Sequence, residues 1–342
     1  MINSFLRFGA LSFLAFAGLH SPSSRYRGAD GMRYPAARIS FASHRDGNWE
    51  IYVMDSDGGN QTRLTRNAAQ NRFALWSPDR SRIAFASQVD AIRWDLWVMD
   101  ANGARQRRLF SNVVAKGNRE WSPDGTRIAL TATINGDLEI FTVRADGTGA
   151  TRLTNSAGED RDPTWSPDGT RIAFTSKRDG NEEIYVMHAD GTQIQRLTRN
   201  GAMDRSPTWS PQDGAIAFVS ARDGGRDLYL MNHDGTQVHR LTEGGQSTND
   251  MSRWSPDGKR IAFQVARGKN YDVDVVSVAD RKRISVAATP AFDGHYTWSP
   301  DGARLAFISD RDGSNAVYVV DADGEHVQRL TTSDSLNPAW WR

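Results

Sequence analysis

A tryptophan returns at a nearly fixed interval through most of this chain, and that period limits the possible folds more than any other feature. It falls at Trp76, Trp121, Trp165, Trp209, Trp254 and Trp298, at intervals of 44 or 45 residues, with a last copy at Trp340. Self-similarity at this period means a propeller or a solenoid built from one repeated unit. The clearest copy runs from Asp162 to Thr198 as DPTWSPDGTRIAFTSKRDGNEEIYVMHADGTQIQRLT. Four short strands read from it. Strand A ends at Trp165, and Pro167-Asp168-Gly169 turns the chain, because Pro presets φ and Gly accepts a positive one. Strand B alternates as Ile172-Ala173-Phe174. The polar loop Lys177-Arg178-Asp179-Gly180-Asn181 leads to strand C at Ile184-Tyr185-Val186-Met187. Ala189-Asp190-Gly191 turns into strand D at Arg196-Leu197-Thr198. Four antiparallel strands in about 44 residues make one propeller blade.

Strand B occurs seven times, starting at Ile39, Ile83, Ile128, Ile172, Ile216, Ile261 and Leu305. The first B-C-D set, beginning at Arg38, has no strand A before it, and the strand A at Trp340 has no B-C-D set after it. The fragments complement each other. The expected fold is all-β, a seven-bladed β-propeller of four-stranded antiparallel blades. Its C-terminal strand at residues 338–341 completes the N-terminal blade and so removes a sheet edge.

The 42 basic and 41 acidic side chains nearly cancel, so the chain lacks the one-signed field that nucleic-acid binding needs. With no cysteine, disulfides, thiolate metal sites and cysteine nucleophiles are excluded. Only the N-terminus is strongly apolar. Arg7 precedes a run from Phe8 to Leu19 that is too short to span a bilayer comfortably, and Ala15-Phe16-Ala17 fits a small-x-small cleavage site. The expected layout is a signal peptide at 1–17, a flexible linker at 18–36 and the propeller at 37–342. The mature chain is expected outside the cytoplasm, periplasmic or secreted, as a monomer with no membrane span.

The pattern WSPDG…IAF.S.RDGN.EIYVMDADGT…RLT resembles the WD-like repeat of the TolB propeller family over nearly all of residues 38 to 342. The resemblance implies a periplasmic or cell-surface propeller that binds other proteins, with an envelope lipoprotein as the partner. Two departures imply a TolB-related propeller rather than TolB itself. No α/β domain is read before Arg38, and seven blades are counted where TolB has six.

The seven repeated Trp residues are expected to pack blade on blade, as large aromatics do in such cores. The Asp-Gly turns lack the downstream bidentate Glu that a calcium loop needs, so they read as turns. An acidic residue opens strand C in six copies (Glu50, Asp95, Glu139, Glu183, Asp227 and Asp272). An Arg stands in strand D in all seven (Arg63, Arg108, Arg152, Arg196, Arg240, Arg283 and Arg329). Cross-strand ion pairs are the expected reading, with Ala316 leaving Arg329 without its partner.

Binding residues are expected on two loop families at one end of the blades, since loops on a rigid scaffold collect them. The D–A family contributes Arg72, Arg119, Asp160, Arg161, Asp162, Asp204, Arg205, Asp250, Asp293 and His295. The B–C family contributes Arg45, Arg178, Arg222 and Arg311. Arg161 and Arg205 stand out, each four residues before a strand-A Trp. No G-x-S-x-G, H-E-x-x-H or G-x-x-x-x-G-K-[ST] occurs, and no catalytic residue, metal ligand or cofactor site is assigned. The expected function is a non-catalytic scaffold that binds a protein partner through its loop-rich face. The rival readings are a channel enzyme of the polysaccharide lyase or glycosidase type, and a sugar- or peptidoglycan-binding module.

Overall fold

The computed structural model describes residues 25–27, 33–35, 37–114, 117–245 and 252–341. The signal peptide expected at 1–17 lies outside the described residues. Within the expected linker, Arg25–Arg27 pairs antiparallel with Arg33–Pro35. That hairpin falls in a unit of its own, Met1–Ala36, separate from Ala37–Arg342.

In the larger unit the described residues form strands and turns only. The strands fall into seven sets of four, each ordered A-B-C-D and antiparallel. Set 1 is Ser335–Trp340, Arg38–Ser43, Glu50–Asp55 and Thr62–Arg63. Set 2 is Asn71–Trp76, Arg82–Gln88, Trp94–Asp100 and Arg107–Val113. Set 3 is Arg119–Trp121, Arg127–Ile134, Asp137–Arg144 and Ala150–Arg152. Set 4 is Asp160–Trp165, Arg171–Ser176, Glu183–His188 and Gln195–Arg196. Set 5 is Asp204–Trp209, Ile216–Ser220, Asp227–Met231 and His239–Arg240. Set 6 is Arg253–Trp254, Arg260–Arg267, Asn270–Ser277 and Arg283–Ala287. Set 7 is Asp293–Trp298, Arg304–Ser309, Ala316–Asp321 and Gln328–Arg329.

Set 1 takes its A strand from the far end of the chain. Ile39 pairs with Trp340 and Ser43 with Ser335, and the Trp341 N–H donates to the Arg38 carbonyl at 2.7 Å. Sets 2 and 3 are not separate sheets. A single bridge from Val113 to Ala132 joins them into one of eight strands. The cause is local. In sets 1, 3, 4, 5 and 7 a Thr follows just after strand D, as at Thr198, whose hydroxyl receives the Ile184 N–H at 2.9 Å and donates to Glu183 at 2.5 Å. In set 2 Phe110 stands in the place of that Thr, and the strand runs on to Val113.

The B and C strands are buried on both faces. Ile172, Ala173, Phe174, Thr175 and Ser176 are all inaccessible. The alternation read in strand B is therefore of large against small side chains, not of inside against outside. A middle strand covered on both faces loses the polar alternation of a half-exposed one. Neighbouring sets are stitched by the tryptophans. The indole N–H of Trp121 donates to the Leu75 carbonyl at 3.1 Å, that of Trp165 to Glu120, that of Trp254 to Thr208 and that of Trp298 to Arg253. Arg171 lies over Trp209 and Arg304 over Trp340, 5.4 and 5.5 Å from the ring centres. Trp76 of set 2 stacks on Trp341 at 5.5 Å. Every set is thus tied to the next, and set 7 through set 1 to set 2. The A strands of successive sets other than 2 and 3 approach one another, so A is the inner strand and D the outer one.

The five acid–Arg pairs at 13-residue spacing form as expected across strands C and D, for example Glu50–Arg63 at 2.8 Å and Glu183–Arg196 at 2.7 Å. The other two differ. Arg283 takes Asp274, while Asp272 takes Arg267. Arg329 is not left without a partner, because Asp312 of the B–C loop reaches it at 3.2 Å.

Candidate functional site

The B–C arginines are held within the fold. In Arg178 the Nε–H donates to Ser176 at 2.8 Å, Nη2 reaches buried Asp160 at 3.1 Å, and the guanidinium lies 4.8 Å from the centre of the Tyr185 ring. Arg222 repeats this with Ser220, Asp204 and Tyr229, and Arg311 with Ser309, Asp293 and Tyr318. Arg45 bonds Ser43 and stacks on Tyr52. The adjoining Asp46, Asp179, Asp223 and Asp312 each accept a hydrogen bond from the tyrosine hydroxyl of strand C. Burial and that bond push Tyr52, Tyr185 and Tyr318 up to about 12. Asp160, Asp204 and Asp293 are thereby the buried anchors of these loops, and burial raises the pKa of Asp204.

The inner strands carry the variable chemistry. Five A strands slip register, between Arg72 and Leu75, Arg161 and Thr164, Arg205 and Thr208, Gly294 and Thr297, and Leu336 and Ala339. A residue inside each slip has a left-handed backbone, with φ of 56° at Phe73, 56° at Asp162, 54° at Ser206, 50° at His295 and 52° at Asn337. Such bulges turn a side chain that a regular strand would aim elsewhere, and they gather next to functional sites. Gly294 occupies the position of Arg161 and Arg205, and a Cβ there would collide with Gln264. Set 7 therefore brings no charge at that point.

Arg161 and Arg205 come together on one carboxylate that the sequence reading did not single out. Glu182 pairs with the Arg161 Nη2, stands 3.6 Å from the Arg205 Nη1 and 3.8 Å from the Lys177 ammonium. Lys177 also bonds Glu159 at 2.5 Å. Asp162 lies 3.8 Å from the Arg161 Nε, and burial pushes its carboxyl above the usual range. The Nε and Nη2 of Arg205, the Nε of Arg161 and the Oε2 of Glu182 are buried without a hydrogen-bond partner among the described residues. Glu182 was missed because it holds a non-repeating position, occupied by Trp49 and Tyr271 in other sets. The signal was a charge opposite to Arg161 at an offset of 21 residues.

Sets 1, 2 and 7 carry aromatic groups instead. Arg72 lies 4.4 Å from the centre of the Trp49 ring and donates to Gln70 at 2.8 Å. Arg119 lies over Phe73 and donates to the Val114 carbonyl, and burial brings its guanidinium down to about 10. His295 is exposed, 6.1 Å from Phe292, which contacts Tyr271. Asp250 lies outside the described residues.

Four-stranded antiparallel sets, packed in succession with their A strands innermost, define a β-propeller, and comparison with known proteins agrees. A model of the Tricorn protease N-terminal β-propeller domain matches residues 139–226, and one of the TolB β-propeller domain matches residues 246–341. The Tol-Pal system protein TolB of Desulfosudis oleivorans is 43% identical over 51 residues, 15% of this chain and 12% of that protein. The crystal structure of TolB from Acinetobacter baumannii superposes with a TM-score of 0.59 at 20% identity, covering 89% of this chain and 66% of that one. Over its C-terminal part the chain is thus similar to the TolB β-propeller domain. An oligogalacturonate lyase in complex with manganese shares the fold, with a TM-score of 0.69 at 17% identity, over 87% of this chain and 95% of that one. Among the described residues of this chain, no group of three or more His, Asp or Glu is placed to hold a metal ion.

Proposed function

We propose that the chain is an exported, seven-bladed, closed propeller that binds a protein partner at the mouth formed by its D–A and B–C loops. The observation that carries this reading is the Arg161–Glu182–Arg205 cluster. Buried, incompletely bonded charges collect there, while Arg178, Arg222 and Arg311 of the B–C loops are paired with serine and aspartate. A buried donor without a partner is costly, and a partner that supplies the missing acceptor recovers that cost. Arginine is also enriched among interface residues that dominate affinity. Pairing of residues 335–340 with Arg38–Ser43 supports the closed ring, and Arg7 with its apolar run supports export.

The test is capture of a partner from envelope extracts by the mature protein. Arg161→Ala and Arg205→Ala are compared with Asp168→Ala and Asp190→Ala at the opposite end. The mouth variants should weaken binding by about 1–2 kcal/mol and the turn variants should leave it unchanged. The reverse pattern assigns the partner to the other face.

A further inference from the structure

Sets 4 and 5 use the same two positions for opposite purposes. In set 4, Arg161 of the inner strand and Glu182 at the end of the B–C loop, 21 residues apart, form an ion pair. In set 5 the equivalent positions, at the same separation, hold Arg205 and Arg226. The Arg205 guanidinium is near enough to feel both Arg226 and Arg161, and among the described residues its one ion-pair contact is the 3.6 Å approach of Glu182. Around it, Lys177, Arg161, Arg205 and Arg226 stand with the three carboxylates Glu159, Glu182 and Asp162. The local charge is positive and one carboxylate short of the arrangement in set 4.

The unpaired edge has a definite shape. In Arg178, Arg222 and Arg311 the Nε and Nη2 pair of nitrogens is filled by a serine hydroxyl and an aspartate. In Arg205 both nitrogens of that edge are buried and unpartnered among the described residues, in a residue 9% exposed. Two parallel N–H groups on a planar guanidinium match the two oxygens of a carboxylate better than any single acceptor. Arg226 is exposed, whereas Arg205 is buried.

We infer that the mouth over set 5 is a carboxylate subsite, in which Arg226 receives and Arg205 grips an acidic side chain or C-terminus of the protein partner. This rests on the protein-partner reading above. As the ligand carboxylate arrives, Glu182 keeps Arg161 and Lys177, and Arg205 is freed to bond the incoming group through its unpaired edge.

The deciding variant is Arg226→Glu, which gives set 5 the internal acid that set 4 already has. A fluorescein-labelled poly-glutamate peptide is titrated into the full chain at low ionic strength, with oligogalacturonate and inorganic phosphate as competitors. The peptide should bind saturably to the wild type and about tenfold more weakly to Arg226→Glu and Arg205→Gln. Arg226→Glu should melt no lower than the wild type, which separates loss of the site from loss of the fold. Unchanged peptide binding by Arg226→Glu overturns the subsite, and so does an absence of saturable binding. Oligogalacturonate or phosphate displacing the peptide at lower concentration than free poly-glutamate overturns its assignment to a protein carboxylate. An envelope partner captured equally by wild type and Arg226→Glu also sinks the subsite while leaving the protein-partner reading intact. Arginine-dependent peptide binding with no partner captured sinks that reading and leaves the subsite.

Discussion

The two ends of the sheets treat polar atoms differently. At the turn end, the Ser166 hydroxyl donates to Asp168 at 2.5 Å and receives the Arg171 N–H at 2.9 Å, while Asp168 accepts the Thr170 N–H at 3.0 Å. Ser122 with Asp124, Ser255 with Asp257 and Ser299 with Asp301 build the same closed network. At the mouth, Arg205, Arg161 and Glu182 leave buried atoms unbonded. The Ser-Pro-Asp-Gly turns satisfy their own polar atoms, whereas the Arg161–Glu182–Arg205 cluster does not.

This contrast fails if the repeated parts prove dispensable. Deleting residues 334–342 removes the inner strand of set 1 together with buried Trp340 and Trp341. It should destabilise the protein by several kcal/mol, with about 3–5 from one buried tryptophan alone. Thermal unfolding of the truncated chain checks this, and an unchanged midpoint would refute the closure.

A pair of substitutions sharpens the comparison. The carboxylate of Glu183 is fully buried and holds Arg196, Thr198 and the Asn200 N–H. Glu183→Ala should therefore cost about 2–3 kcal/mol in urea unfolding, since it strands those donors. Arg205→Met, of similar depth, should raise stability by about 1 kcal/mol, because a buried unpaired edge is lost. Equal losses at the two sites would erase the distinction.

The smallest effect is a titration. Tyr52, Tyr185 and Tyr318 have folded values of about 12 against an ordinary 10.0. A raised pKa favours the protonated form in the folded state. Their contribution is complete below pH 10 and is lost as pH rises toward 12. Their aspartate acceptors Asp46 and Asp179 are held below the usual carboxylate range, chiefly by the same hydroxyls. That contribution is present above the ordinary carboxylate value and disappears as pH falls through the lowered one. Phenolate absorbance against pH should show tyrosines ionising late in the native protein and normally after denaturation.

Much of this was legible in the sequence because the informative residues recur. Ile-Ala-Phe, the Trp before Ser-Pro-Asp-Gly and the 13-residue acid–Arg spacing each mark a strand or a pairing directly. What escaped depends on contacts between sets or on single departures. Phe110 in the place of a threonine fuses sets 2 and 3, which no strand pattern announces. Arg80 occupies a turn glycine position with φ of 65° and lies over Trp341, 5.5 Å from the ring centre. The bulges at Asp162 and Ser206 arise from register between strands. Of the candidate site, Arg161 and Arg205 were read from their distance to the Trp, but Glu182 needed the fold to bring it between them.

The pairing of Ile39 with Trp340 also sets an order of events during folding. The Ser43 hydroxyl meets that of Ser333, 290 residues away, and contacts so distant in sequence slow the final step. During synthesis the three early strands of set 1 must wait, with an open edge, until the last residues of the chain are made. A chain re-cut between set 1 and set 2, with its present ends joined near residues 341 and 38, would carry all four strands of every set in local order. Such a permutant should reach the same fold faster and spend less time as a template for wrong strand pairing.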